Sequence, residues 1–241
     1  MTGGLLLHLS GPLQSWGGAQ VRNVYPTHRH PTRSALVGLL AASLGREPDA
    51  DNSEDLGRLR FTIRIDRPGR NETDFHTVGG GYPPEKTPPT ARGKHKTKGG
   101  TLLTYRDYLA DAAFTVAVTG QRSTLAGLAR ALEHPVYPSY LGRSSCPPDV
   151  PLLAWADADP ARELRCFPLH RDAGGPVEFV YEEAPEARAP ADETLRQDYR
   201  GRQRFADYPL WYRWLDLPDA PDGGLGTDYL TALTDYRKTR P

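Results

Sequence analysis

The sequence predicts an α+β sandwich, ferredoxin-like or RRM-like. Its antiparallel sheet has helices on one side, is interrupted by a long basic excursion, and is followed by a small C-terminal β-rich extension. Three observations carry this. Apolar runs follow the order strand, helix, strand, strand, helix within the first 132 residues. Two of those strands alternate cleanly, with Phe61, Ile63 and Ile65 in one and Phe114, Val116 and Val118 in the other. Gly79 to Gly100 holds hardly an apolar residue, so it forms no core and reads as an arm leaving the sheet.

The elements follow in order. Leu5 to Leu9 is an apolar run ended by Ser10-Gly11-Pro12, a strand buried on both faces, with His8 a satisfied core or edge histidine. The loop Gly11–Asn23 carries Trp16 beside Gly17 and Gly18, where an exposed indole would stack on a base and an inward one would close the core. Thr27 to Gly45 is a cationic loop turning into an apolar helix. Thr32 or Ser34 caps it, Pro31 precedes it, Gly45 ends it, and Leu36, Leu40 and Leu44 form its buried stripe. Phe61–Asp66 is a strand with one polar face, and another begins at Asp74–Val78. The arm is a β-hairpin that returns through Leu102, Leu103 and Tyr105, and it bears Lys94, Lys96 and Lys98 in alternation. Tyr108–Val118 is the next strand, and Ser123 or Thr124 caps a helix reaching Leu132. His134–Pro151 is irregular. Beyond it, Glu178–Tyr181 is a strand, Ala184–Ala191 a connector, and Arg200, Arg202 and Arg204 alternate ahead of an aromatic run. The last twenty or so residues are expected to fray.

Charge balances over the 241 residues, with 30 basic and 30 acidic side chains, so the whole-protein charge selects no partner. Its distribution is uneven. Residues 1–46 contain no acid but hold Arg22, Arg29, Arg33 and Arg46, and residues 86–106 hold six Lys or Arg and no acid. Residues 151–198 reverse this, with eleven acids against five arginines. A basic half beside an acidic stretch suits a polyanion site on one face. Two cysteines support neither a disulfide framework nor a four-ligand zinc site, and the longest apolar run is too short for a bilayer. A soluble cytoplasmic protein without cofactor is expected.

The sharpest candidate site is the helix start, where Arg29 and Arg33 flank N–H groups that favour an anion, with Thr32 and Ser34 beside them. An ordinary capped helix with solvated arginines is the competing reading. The pair His28 and His30 lacks acidic or thiol company, so no metal is expected there.

Four blocks together resemble the fifth-numbered Cas family of CRISPR-associated RAMP proteins, in the branch that serves type I-E Cascade. They are LLLHLSGPLQSWG at 5–17, HPTRSALVGLLAASLGR at 30–46, YLADAAFTVAV at 108–118 and YPSYLGRSSCP at 137–147, with a looser echo in RQRFADYPLWYRW at 202–214. The resemblance implies an RRM-like RAMP domain over 1–150 with a thumb at about 74–106, and an extension over 151–241 packed on it. It further implies a non-catalytic subunit that holds the 5′ handle of the crRNA. That subunit contacts the backbone and large subunits of Cascade, meets target DNA through the guide, and has no membrane partner. The candidate RNA-contact residues, from this resemblance and from the residue patterns above together, are Trp16, Arg22, Arg29, Thr32, Arg33, Ser34, His76, Lys94, Lys96, Lys98, Tyr140, Arg143, Arg202 and Arg204. Two alternatives stand beside it. One is a metal-free endoribonuclease drawing on His76, His95, Lys94 and Tyr105 or Tyr108. The other is an adaptor that touches proteins but no RNA.

Overall fold

In the computed structural model, residues 3–239 are described except 19, 48–49, 51, 53, 80–82, 88–92, 94–100, 157–158, 173 and 200–203. The chain runs through β1 (Gly4–Ser10), β2 (Leu13–Gln14), β3 (Val24–Tyr25), α1 (Arg33–Ser43), β4 (Arg60–Arg67) and β5 (Arg70–Gly79). It continues through β6 (Thr101–Ala110), β7 (Ala113–Thr119), α2 (Arg122–Glu133), β8 (Leu153–Ala156) and α3 (Pro160–Cys166). The last elements are β9 (Val177–Tyr181), β10 (Glu193–Tyr199), β11 (Arg204–Leu215) and α4 (Gly226–Lys238).

Seven strands form one antiparallel sheet in the order β10-β11-β9-β4-β7-β1-β8. The four at its β8 end, with α1 after β1 and α2 after β7, have ferredoxin-like order. Their fourth strand, β8, lies beyond residue 150, so the unit closes only after the boundary read from the sequence. β9, β11 and β10 extend the sheet outward from β4. β5 and β6 are inserted between β4 and β7 and pair from Arg70↔Ala110 to Gly79↔Thr101. The other edge of β6 is taken by β2 and, in parallel, β3.

Burial of β1 on both faces has a direct cause. Leu5, Leu7 and Leu9 pack with Leu36, Leu40, Leu125 and Leu128 of α1 and α2, while Leu6 faces Leu164, Phe167 and Phe179. Helices therefore cover both faces of the sheet, where the sequence reading put them on one. α3 and α4 supply the second cover, and the expected frayed tail is a helix with Tyr229 buried. Arg64 and Asp66, on the polar face of β4, consequently do not meet water. Arg64 and Asp66 have fully buried side chains 2.5 Å apart, and the Arg64 guanidinium also donates to the carbonyls of Leu164, Phe167 and Pro168. His8 belongs to the same layer, with Nε2 3.1 Å from His170 Nδ1 and its ring beside Tyr229, which stacks on His170 at 3.9 Å.

Local signals held where chemistry was specific. Thr32 is the N-cap of α1 and accepts from the Ala35 N–H, and Gly45 takes the left-handed φ of 73°. α2 begins earlier than expected, after Gln121, whose side chain makes no capping bond. Tyr108–Val118 is not one strand. Asp111 turns at φ 59° between β6 and β7, a conformation that Asp tolerates.

Candidate nucleic-acid interface

At the start of α1 the two arginines meet carboxylates from the C-terminal extension. Arg33 donates to Glu182 at 2.6 Å and to the Gly57 carbonyl at 2.7 Å. Its side chain is 2 % exposed, and its guanidinium lies over the rings of Phe61 and Tyr208. Burial raises the Glu182 pKa and the Arg33 charge opposes that rise. Arg29 forks onto Glu178 at 2.7 and 2.8 Å and lies 4.5 Å from the Tyr212 ring centroid, while half of its side chain remains exposed. Its pKa is raised, chiefly by the Glu178 bond.

These contacts correct the helix-start reading. A buried carboxylate left without its partner is strongly unfavourable, so Arg33 is held by Glu182 and offers no free charge to a phosphate. Thr32 is buried, with its hydroxyl donating to the Trp16 carbonyl, and Ser34 beside it is half-buried. Trp16 is also corrected. Its indole is wholly inside, edge-on to Phe114, with Nε1 donating to Gln14 Oε1 at 3.1 Å, so it presents no stacking face. Part of the contrast between a basic N-terminal half and an acidic 151–198 is pairing within the chain, through Arg29–Glu178, Arg33–Glu182 and Arg60–Glu183.

The segment Leu141-Gly142-Arg143 is a brace. Arg143 donates to the carbonyls of Asp107 at 3.2 Å and Tyr25 at 3.0 Å, and lies 4.7 Å from the Tyr108 ring centroid. It thus ties β3 to β6 while remaining half-buried. Gly142 has φ 94°, and a Cβ there would lie 1.6 Å from the Ser15 carbonyl oxygen, so the segment packs tightly on the chain beside β2. Tyr140 is exposed, as is Arg22, which turns at φ 54°.

The β5–β6 hairpin presents two different faces. Its register sets Thr73, Phe75 and Thr77 opposite Asp107, Tyr105 and Leu103 on one of them. There Phe75 and Tyr105, 52 % and 45 % exposed, lie with ring centroids 5.3 Å apart, and Leu103 is exposed beside them. The other face carries Asp74 and His76, which pair with each other, opposite Arg106 and Thr104. Arg106 lies over Tyr25 at 5.6 Å, and the buried atoms Arg106 Nε and Thr104 Oγ1 have no hydrogen-bond partner among the described residues. An exposed aromatic pair backed by a cation is suited to stacking bases and following a backbone.

Phe75, Tyr25 and the role of Arg106 were missed by sequence reasoning. The available signal was the alternation of Phe75 with polar neighbours, which marks an exposed strand face once the pairing strand is known. Lys94, Lys96, Lys98, His95 and Arg202 lie outside the described residues, and Arg204 opens β11 opposite Tyr199. Of the acid–base set considered for RNA cleavage, Tyr108 is buried under Arg143, while Tyr105 and His76 sit on opposite faces of the hairpin. His30 is buried, with one ring nitrogen 3.2 Å from the Tyr212 hydroxyl. Among the described residues no group of three or more His, Cys, Asp or Glu is disposed to hold a metal. Nor is any helix among them long and apolar enough to cross a membrane.

Comparison with known proteins places these features in company. The model of the CRISPR-associated Cas5 protein family matches residues 4–207. The chain is 36% identical over 218 residues to the CRISPR system Cascade subunit CasD of Escherichia coli strain K12, covering 81% of this chain and 94% of that one. A solved chain of a CRISPR RNA-guided surveillance complex superposes with TM-score 0.82 at 37% identity, covering 98% and 99% of the two chains. A crystal structure of a Cas protein gives TM-score 0.65 at 29% identity, covering 91% and 98%.

Proposed function

The chain belongs to the CRISPR-associated Cas5 family, and from that premise we propose that it is a non-catalytic, crRNA-binding subunit of a type I-E Cascade complex. It holds the 5′ handle of the guide and caps the backbone filament next to the large subunit, reaching target DNA only through the guide. The observation that carries this reading is the end-to-end likeness to a chain of an RNA-guided surveillance complex, 98% of this chain at TM-score 0.82. It works in the cytoplasm, where such guides are made and used.

Within this reading the geometry favours the hairpin over the start of α1. Phe75 and Tyr105 supply stacking surface, Arg106 supplies charge, and Arg143 fixes the hairpin's root through Tyr25 and Asp107. Arg22 and Tyr140 are exposed and remain candidate contacts, as do the lysines of the arm. A non-catalytic role is supported by the positions of Tyr105, Tyr108 and His76, since cleavage needs its acid and base on the same scissile phosphate.

The test is a salt titration of handle-RNA binding beside a time course with intact repeat RNA. Wild type is expected to bind with an affinity that falls as salt rises and to leave the repeat uncut. Phe75→Ala with Tyr105→Ala is expected to weaken binding by about 10- to 100-fold, on the scale of one to three kcal/mol per stacked base. Cutting of repeat RNA by wild type would establish the endoribonuclease instead. Absence of RNA binding would establish the adaptor.

A further inference from the structure

The turn at Arg22 carries an unfavourable residue for its backbone. Val21 and Val24 exchange both backbone hydrogen bonds, at 3.1 and 3.0 Å, so Arg22 and Asn23 are the two central residues of a tight turn. Of the two, only Arg22 has a positive φ, 54°. Glycine is the rule at the first central position of such a turn, because a Cβ there crowds the backbone. The Gln20 side-chain amide donates to the Arg22 carbonyl at 2.8 Å and holds the conformation in place. The Arg22 side chain is exposed, so burial does not offset the strain. Strain kept at an exposed cation points to use of that cation.

The turn leads into the aromatic face of the hairpin. β3 runs parallel to β6 with Val24 beside Tyr105, and Phe75 of β5 lies opposite Tyr105 on its other side. Residues in register across a sheet share a face, so Phe75, Tyr105 and Val24 form one row over three strands, all exposed. At about 4.8 Å between strands the row is about 10 Å long. Because β3 and β6 are parallel, Arg22 lies toward the Leu103 side of the row. Asp107, the acid on this face, lies on the other side of Tyr105 and accepts from Thr73.

We propose that single-stranded guide RNA crosses this row from strand to strand, with bases over Phe75, Tyr105 and Val24 and a phosphate on Arg22. This path rests on the RNA-binding reading and adds to it a direction and a cation held by backbone strain. A sheet face takes two or three splayed bases in this manner. On the Leu103 side the RNA backbone meets the Arg22 charge and avoids Asp107, whereas a strand laid along the hairpin would pass that carboxylate.

Handle-RNA affinity of the full-length chain, measured over a range of salt and beside thermal melting, tests this. Arg22→Gly is expected to melt no lower than wild type, since glycine accepts the backbone. It is expected to bind about tenfold more weakly, the equivalent of one charge-assisted hydrogen bond. Its plot of log affinity against log salt is expected to flatten by about 0.7, the share of one phosphate contact on a single strand. Arg22→Lys keeps the charge and is expected to keep that slope. Val24→Asp, which sets a carboxylate in the row, is expected to weaken binding at least about tenfold by losing that contact's worth of affinity. Asn71→Asp, on the same face but four residues along β5 from Phe75, is expected to change affinity less than twofold. Tight binding by Arg22→Gly, or a larger loss at Asn71→Asp than at Val24→Asp, would overturn the path and leave the RNA-binding reading standing. An Arg22→Gly chain that melts below wild type would overturn it as well, because arginine would then suit the turn. Absence of RNA binding by wild type would overturn both.

Discussion

Arg33 sits in the first turn of a helix whose N–H groups favour an anion, and the anion it meets is Glu182. Arg33→Ala is therefore expected to lower the free energy of unfolding by about 3–5 kcal/mol, because it strands a buried carboxylate. Arg33→Met with Glu182→Leu is expected to recover part of that loss, since an apolar pair leaves no buried charge. Urea unfolding measures both, and a stable Arg33→Ala protein that binds RNA weakly would restore the phosphate reading. His8 makes a second prediction at this scale. Burial lowers its pKa from 6.5 to about 3, and burial likewise lowers those of His30 and His170. Between pH 6.5 and 3 the unfolded chain takes up a proton that folded His8 refuses, so stability is full above 6.5 and is lost as the pH falls. From pH 6.5 to 5 the loss from His8 alone is on the order of 2 kcal/mol. His8→Leu is expected to show a shallower loss by urea unfolding over that range, and an equal slope in both proteins would contradict the assignment.

Among the elements, those with a strong period were legible: β1, α1 with its Thr32 cap, β4, β7 and α2. α3 and α4 were not, because neither displays a broad apolar stripe. α3 is seven residues long, and α4 places Tyr229 alone among its buried residues. That ring nonetheless stacks on His170 beside His8, while Leu233 and Tyr236 of the same helix pack on the second core. Tyr229→Ala is thus expected to destabilise by about 3–5 kcal/mol, as for a buried aromatic truncation, and Tyr229→Phe by about 1 kcal/mol for its hydroxyl. Denaturant midpoints distinguish them, and a near-neutral Tyr229→Ala would mean that α4 frays as its sequence suggested. The β5–β6 hairpin behaves oppositely. Phe75 and Tyr105 are half exposed, so replacing both by Ala is expected to cost at most about 1 kcal/mol, the scale of a cross-strand pair. A collapse in melting temperature would make them a core and remove them from the interface.

For the molecule as a whole, linear charge segregation was a poor guide to surface. Arg29 and Arg33 looked free because residues 1–46 hold no acid, yet Glu178 and Glu182 come to them from the added strands and the turn beyond β9. Trp16 looked available because small residues flank it, yet those glycines let the chain turn the ring inward. Pairing partners far apart in sequence become visible only when the sheet order is known, and the same holds for the two faces of the hairpin. With formal charge balanced, affinity for a guide depends on local surface more than on the field of the whole protein. The most direct test is to recover the affinity-tagged chain from cells that carry its own CRISPR locus, then sequence the RNA and identify the proteins that accompany it. A subunit that holds guides is expected to bring down short RNAs sharing one repeat-derived 5′ end, together with the backbone and large subunits. Recovery of the chain free of such RNA, from cells in which those guides are abundant, would contradict the account.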